Sequence, residues 1–289
     1  MQYFSFHTHS DFCDGKAGID QVCQSAIEQN LKAVGFSSHA PVAFETAWAM
    51  HFHNLESYVG EIDKCKEKYK GQLAVYRSLE TDFISHEHSI PFDTYRKLGQ
   101  LDYIIGSVHL VHNPEEKSKL WFLDGPVENY ERGLNECFKG DIRKAVKQYY
   151  RQIQEMVLTQ KPDVIAHMDK VVMNNKGRFF TESESWYQEV LEETLQVIAK
   201  AGVIIEVNTR GIYRRKYHTW FPNEQVVRRC VELDIPLTVS VDAHHPDELT
   251  AGFEEAVSML KNAGCEAVSY FEGNQWKQIP IGDVLYSER

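Results

Sequence analysis

Several sequence signals are missing from this chain of 289 residues. It has no run of about 18 apolar residues, which is the length that a transmembrane helix requires. Its first residues, MQYFSFHTHSDF, lack the basic region and the apolar stretch of a secretory signal peptide. None of its six cysteines forms a CxxC pair, which argues against a thiolate zinc site and a dithiol redox motif. These absences predict a cytoplasmic protein with free thiols and no membrane partner.

The chain also lacks GxGxxG and GxxxxGKS/T, the glycine-rich motifs that bind dinucleotides and nucleotide phosphates. Acidic residues outnumber basic ones by 42 to 31, which gives a formal net charge of −11 and an isoelectric point near 5.6. Nucleic-acid binding usually requires a basic face, so we expect no nucleic-acid partner. A small anionic substrate is not excluded, because bound metal ions can reverse the local field. The oligomeric state stays open.

Short β-type runs alternate with longer helical patterns along the chain. The predicted strands are YFSF (3–6), AVGFSS (33–38), LAVYRSLE (73–80), YIIGSV (103–108), DVIA (163–166), VIIEVN (203–208), LTVSV (237–241) and EAVSYF (266–271). The predicted helices lie near 18–30, 55–70, 91–99, 141–160, 184–201, 223–233 and 247–263. Such alternation predicts an α/β fold with parallel strands in a closed or nearly closed β/α barrel, and an open doubly wound sheet is the alternative. We predict one domain over residues 1–289, with a loop excursion near 110–140 over one barrel face.

Imidazole and carboxylate side chains follow many of the predicted strands, at or just after the point where each strand ends. These residues are His7, His9, His39, Glu80, His109, His167, Asp242 and His244. The carboxyl ends of barrel strands share one face, where active sites are built. Side chains two residues apart on a strand point the same way. The pair His7 and His9 and the pair Asp242 and His244 can therefore each bind one metal ion or two adjacent ions. The pattern predicts a metal site that suits Zn²⁺, Mn²⁺ or Fe²⁺.

Six motifs in this order resemble those of the PHP (polymerase and histidinol phosphatase) superfamily. They are HTHSDFCDG, GFSSHAP, LETDF, GSVH, AHMDKV and VDAHHP, which extend from residue 7 to about 247. Their spacing is similar to that of the stand-alone histidinol-phosphate phosphatases. The resemblance implies that residues 1–289 form a PHP catalytic domain, a distorted (β/α)7 barrel with a trinuclear metal centre. It also implies hydrolysis of L-histidinol phosphate to L-histidinol and phosphate in histidine biosynthesis.

Carried over position by position, the resemblance implies three divalent ions, which Zn, Mn or Fe would all suit. One ion would take His7, His9, Glu80 and Asp242. Glu80 would bridge to a second ion that also takes Asp14 and His39, and a third would take His109, His167 and His244. Asp14 stands where many members of the superfamily have histidine, although the phosphatase branch resembles this chain there.

The expected reaction is an in-line attack on phosphorus by a water molecule whose pKa the metal ions lower. Asp242 or His244 would relay a proton to the leaving alkoxide, and the sequence does not choose between them. Arg178, Arg210 and Arg215 are the candidate phosphate contacts, because the guanidinium fork matches two phosphate oxygens. Glu206 is open between support of a metal ligand, a substrate contact and a structural role.

Two other functions compete with this one. The first is a phosphoesterase of the same chemistry that acts on another small phosphate ester or a nucleotide. The second is a non-catalytic metal-binding domain, which would be expected to lack some of the ligands or to carry an attached partner domain. Every ligand position of the motifs is filled in this sequence, which favours a catalytic site.

Overall fold

A computed structural model of the chain describes residues 2–285, so residue 1 and residues 286–289 of the predicted domain lie outside the described part. The strands are β1 (Tyr3–Thr8), β2 (Leu31–Phe36), β3 (Ala74–Arg77), β4 (Glu80–Asp82), β5 (Ile105–Ser107), β6 (Leu110–His112), β7 (Leu120–Phe122), β8 (Val164–Ile165), β9 (Ile204–Asn208), β10 (Leu237–Ser240), β11 (Ala267–Glu272) and β12 (Gln275–Pro280). Within residues 2–285, no helix is long and apolar enough to cross a membrane.

The helices alternate with these strands. They are α1 (Ile19–Glu28), α2 (Leu55–Lys68), α3 (Phe92–Gly99), α4 (Val127–Phe138), α5 (Ile142–Gln160), α6 (Ser185–Ala201), α7 (Arg210–Tyr213), α8 (Glu224–Glu232), α9 (Phe253–Asn262) and α10 (Ile281–Leu285). Three short 3₁₀ helices cover Phe52–Asn54, Lys170–Val172 and Pro246–Glu248.

The parallel strands form two sheets that close on one another. One sheet has the order β1-β2-β3, and the other has the order β10-β9-β8-β5-β4. Isolated parallel bridges join Thr8 to Ala243 and His39 to Glu80, which links the two sheets at both seams. With β3 and β4 as successive parts of one barrel strand, the arrangement confirms the predicted distorted (β/α)7 barrel.

The sequence explains why these segments form barrel strands and covering helices. Strands β9 (IIEVN) and β10 (LTVS) are buried at every position, as expected of parallel strands covered on both faces. Asn223 caps the N-terminus of helix α8, and its side chain accepts a hydrogen bond from the amide of Val226. Gly202 caps the C-terminus of helix α6 with a φ of +66°, a left-handed conformation that glycine adopts without steric cost.

The segment 110–140 contains a β-hairpin and a helix. Strands β6 and β7 pair antiparallel, and α4 packs on β7 with Tyr130 and Leu134 buried. The buried Trp121 ring lies 4.7 Å from the Tyr130 ring, and its indole N–H donates to the Tyr130 carbonyl at 2.9 Å. These contacts fix the end of β7 and the residues that follow it.

Candidate metal centre

The side chains predicted as metal ligands lie together at the carboxyl ends of the barrel strands. Seven are buried and two, Asp14 and His244, are partly exposed. The buried ligands are His7, His9, His39, Glu80, His109, His167 and Asp242. Glu80, His167 and Asp242 are far apart in the sequence, yet they belong to one cluster because the barrel brings its strand ends to one rim.

Glu80 is the centre of this cluster. Its two carboxylate oxygens face different imidazoles. Oε2 lies 3.2 Å from His7 Nε2, 3.5 Å from His9 Nε2 and 3.0 Å from His39 Nδ1, and Oε1 lies 3.5 Å from His109 Nε2 and 3.1 Å from His167 Nε2. A carboxylate that faces two sets of ligands in this way has the geometry to bridge two metal ions.

Among residues 2–285, three overlapping groups of candidate ligands have their ligand atoms within 4.8 Å of one another. They are His9–Asp14–His39–His244, His7–His9–Asp242 and His39–Glu80–His109.

The position of His244 differs from the grouping that the resemblance implies. His244 Nε2 lies 3.3 Å from Asp14 Oδ1, and its ring centroid lies 3.9 Å from that of His9. The rings of His109 and His167 lie 4.9 Å apart and both face Glu80 Oε1. The geometry therefore groups His244 with Asp14 and not with the other two histidines.

Unpaired polar atoms indicate that this cluster fits metal ions. His7 Nε2, His9 Nε2, His39 Nδ1 and Asp14 Oδ1 are buried and have no hydrogen-bond partner. Buried polar atoms are almost always paired, and buried charges without a partner commonly bind a metal. Imidazole nitrogen and carboxylate oxygen suit zinc, manganese and iron alike.

Outer hydrogen bonds fix the orientation of several imidazoles. Glu206 Oε2 lies 2.8 Å from His7 Nδ1, and Glu206 Oε1 accepts from the amide of His167 at 2.9 Å. Asp82 Oδ2 lies 2.9 Å from His109 Nδ1. Metal-binding histidines usually donate their second ring N–H to such a carboxylate, which leaves the other nitrogen free for the metal. Glu206 is therefore positioned to support a metal ligand, which was one of its three predicted roles.

The central carboxylates are held in the ionised form. Burial alone would raise the pKa of Glu80, but the surrounding imidazoles lower it well below its usual range. Burial would likewise raise the pKa of Asp242, but His7 and Arg210 lower it well below its ordinary value. Both groups are therefore available as anionic ligands.

Two of these residues have a positive backbone φ. His167 has a φ of +23° and Asp242 a φ of +51°, and each comes within two residues of the end of a barrel strand. Residues other than glycine rarely adopt such backbone conformations. When they do, these residues are often at functional sites, where the surrounding structure maintains the conformation.

The metal cluster opens into a cavity of about 240 Å³. Of the predicted phosphate contacts, only Arg210 lines it, and its Nη1 donates to the Asp242 carbonyl at 2.8 Å. Arg215 lines a neighbouring cleft, and Arg178 is bonded to Glu131 at the surface. The three arginines that the sequence suggested are thus not brought together.

Sequence reasoning missed two lysines and an aspartate that line this cavity. Lys170 is buried, and its Nζ lies 2.6 Å from Asp124 Oδ2, while Lys216 Nζ lies 3.7 Å from Asp124 Oδ1. Burial would raise the pKa of Asp124, but the two ammonium groups lower it well below its usual range. Burial lowers the pKa of Lys170, but Asp124, together with Asp242 and Glu80, outweighs this effect and the net shift is upward. Lys170 could have been found from the sequence, because it follows the strand-end His167 by three residues.

The profile of the PHP domain matches residues 5–210, which is well over half of the chain. The chain therefore belongs to the PHP domain family.

Known proteins of similar length resemble it. The chain is 27% identical over 271 residues to a Deinococcus radiodurans protein named "Probable histidinol-phosphatase", and the match covers 91% of this chain and 95% of that protein. It is 25% identical to the histidinol-phosphatase of Bacillus subtilis, with 88% and 98% covered. The fold is similar to the crystal structure of the histidinol phosphate phosphatase of Lactococcus lactis complexed with zinc, L-histidinol and phosphate. That likeness has a TM-score of 0.68 at 18% identity and covers 96% of this chain and 99% of the other.

Proposed function

We propose that this protein is a metal-dependent phosphatase that hydrolyses L-histidinol phosphate to L-histidinol and phosphate, a step of histidine biosynthesis. Membership of the PHP family and the names of the full-length relatives support this substrate. The observation that carries the proposal is the cluster of imidazoles around Glu80, which opens into a cavity with three cationic side chains.

Three divalent ions, which Zn, Mn or Fe would suit, account for the ligand set. His7, His9 and Asp242 would hold the first. Glu80 would bridge the first and second ions, and the second would also take His109 and His167. Asp14, His39 and His244 would hold the third. When bound, such ions stabilise charge on phosphoryl oxygens and lower the pKa of a water nucleophile.

The chain supplies further positive charge for the phosphate group. Lys170, Arg210 and Lys216 line the cavity. Asp124 pairs with both lysines, and Arg210 Nη1 lies 3.4 Å from Glu248 Oε2. Asp14, Glu80, Asp124 and Asp242 also line the cavity, so it would favour an anionic ester once bound metal ions offset these carboxylates, even though the whole protein is acidic. Arg178 and Arg215 have no contact with this cavity and are left out of the phosphate site.

The leaving alkoxide requires a proton, and Asp242 or His244 would relay it. Because Asp242 is ionised, it would have to take up the proton that the water nucleophile loses before it could pass one on. Both line the cavity, and His244 Nδ1 lies 3.4 Å from Asp242 Oδ1. General acid catalysis of this type typically contributes about 10²- to 10⁴-fold in rate.

The proposed compartment is the cytoplasm. All six cysteines lie within residues 2–285 and are free thiols, which suits a reducing environment.

Phosphate release from a panel of esters tests the proposal. The panel contains L-histidinol phosphate, a sugar phosphate, a nucleoside monophosphate and single-stranded DNA with a 3′-phosphate. We expect kcat/KM to be highest for L-histidinol phosphate and turnover of DNA to be absent. A higher kcat/KM for a sugar phosphate or nucleotide would assign the same chemistry to another substrate, and no release from any ester with metals added would contradict the phosphatase assignment.

A further inference from the structure

The cavity has one wall whose chemistry the phosphate group does not require. Trp48 and Phe122 form this aromatic wall, with ring planes 13° apart and centroids separated by 6.2 Å. Trp48 comes from the connection that follows β2, and Phe122 is the last residue of β7. Two distant segments therefore place near-parallel aromatic faces at the same site.

The aromatic wall lies directly beside the metal centre. The Trp48 ring centroid is 5.0 Å from that of His39 and 6.1 Å from that of His109. Apart from Gly125, the other residues that line the cavity have polar or charged side chains, with the cations Lys170 and Lys216 among them. Among the described residues that line the cavity, this wall is the apolar surface against which an ester with its phosphate at the metals and cations would bury an apolar leaving group.

We propose that Trp48 and Phe122 determine substrate specificity by stacking on a planar ring of the leaving group. The inference rests on the proposed function, because the leaving group L-histidinol carries an imidazole ring. Stacked aromatic rings attract one another beyond the burial of their area, and a protonated imidazole would add attraction to the indole face. The ring would contribute mainly to selectivity between esters, since it is remote from the bond that breaks.

A pair of esters that differ only in the ring tests this role. They are L-histidinol phosphate and 2-aminopropyl phosphate, which keeps the amine and the phosphate. We expect Trp48→Ala and Phe122→Ala each to lower the ratio of the two kcat/KM values about tenfold, the size of a stacking contact of about 1.4 kcal/mol. Trp48→Phe keeps an aromatic face and should retain most of the ratio. Phe52→Ala removes an exposed phenyl group from the same connection and serves as the matched control.

An equal loss on both esters would overturn the proposal. It would mean that Trp48 acts through the position of His39, and a lower metal content of the variant would accompany it. Failure of the proposed function gives a different result, in which the wild type does not turn over L-histidinol phosphate. The ratio for 2-phenylethyl phosphate over propyl phosphate then tests the aromatic wall by itself. The inference fails if Trp48→Ala leaves that ratio unchanged.

Discussion

Replacement of Glu206 by glutamine should weaken the metal centre without touching a ligand. The carboxylate is fully buried and accepts three hydrogen bonds: from His7 Nδ1 at 2.8 Å, from the amide of His167 at 2.9 Å and from Asn208 Nδ2 at 2.8 Å. Glutamine has one acceptor oxygen and one NH₂ donor in place of two acceptor oxygens. In one amide orientation the NH₂ group would face the donors of His167 and Asn208, and in the other it would face the Nδ1–H group of His7.

The consequence for His7 depends on its tautomer. If the glutamine NH₂ faces His7, Nδ1 must accept and the ring proton moves to Nε2, which is the nitrogen that faces Glu80 at 3.2 Å. A protonated Nε2 cannot bind a metal ion. Loss of such an outer partner typically costs about 10- to 100-fold in metal affinity or activity, which is about 1.4 to 2.7 kcal/mol.

Competition with a chromophoric chelator measures the affinity of wild type and Glu206→Gln for Zn²⁺, and phosphate release measures kcat. Glu192→Gln is the matched control, because this carboxylate accepts from Arg229 on the outside of α6 and is remote from the site. Circular dichroism checks that both variants are folded. Wild-type metal affinity together with wild-type kcat in Glu206→Gln would refute the reasoning.

Three further changes test other parts of the site. Arg210→Ala should raise KM for the phosphate ester at least tenfold in steady-state kinetics, while the KM of Arg178→Ala should stay near the wild-type value, since of these two arginines only Arg210 lines the cavity. Equal effects of the two substitutions on KM would contradict this assignment. Asp82→Asn leaves one acceptor oxygen for two groups of His109, the backbone amide at 2.7 Å and Nδ1 at 2.9 Å, and should cost about 10- to 100-fold in metal affinity by chelator competition. Unchanged affinity would show that the ring is held by other contacts. Gly15→Ala would place a methyl group 2.6 Å from the backbone of Ser10, so we expect a lower melting temperature and a lower metal content. A wild-type melting curve would show that the turn can relax.

The strands that carry ligands could be predicted because each is a short apolar run that ends in a polar residue. Tertiary pairing altered one of them: the predicted strand 73–80 is divided, since β3 pairs with β2 while β4, which begins at Glu80, pairs with β5. The hairpin and helix in the segment 110–140 were missed, because its turn formers and polar residues hide the buried faces of Trp121 and Tyr130. Those faces are defined by their contact with each other.

The metal ligands could be located from strand ends, but their grouping could not. His244 lies beside Asp14 because the loop after β1 approaches the loop after β10, where the amide of Lys16 donates to the His244 carbonyl at 2.8 Å. The cationic side of the cavity was missed for a similar reason. A buried lysine is tolerated there because carboxylates from other segments surround it, above all Asp124, which supplies its counter-ion.

Metal content measured together with turnover tests the central claim most directly. The protein is stripped with a chelator and titrated with Mn²⁺ or Zn²⁺, while bound metal is measured by elemental analysis and phosphate release from L-histidinol phosphate is followed. We expect wild type to regain activity as it binds up to about three ions per chain, and Glu80→Ala to bind fewer ions and to lose at least about a hundredfold in rate while it remains folded. Full turnover by the stripped protein, or near-normal turnover by Glu80→Ala, would contradict the account.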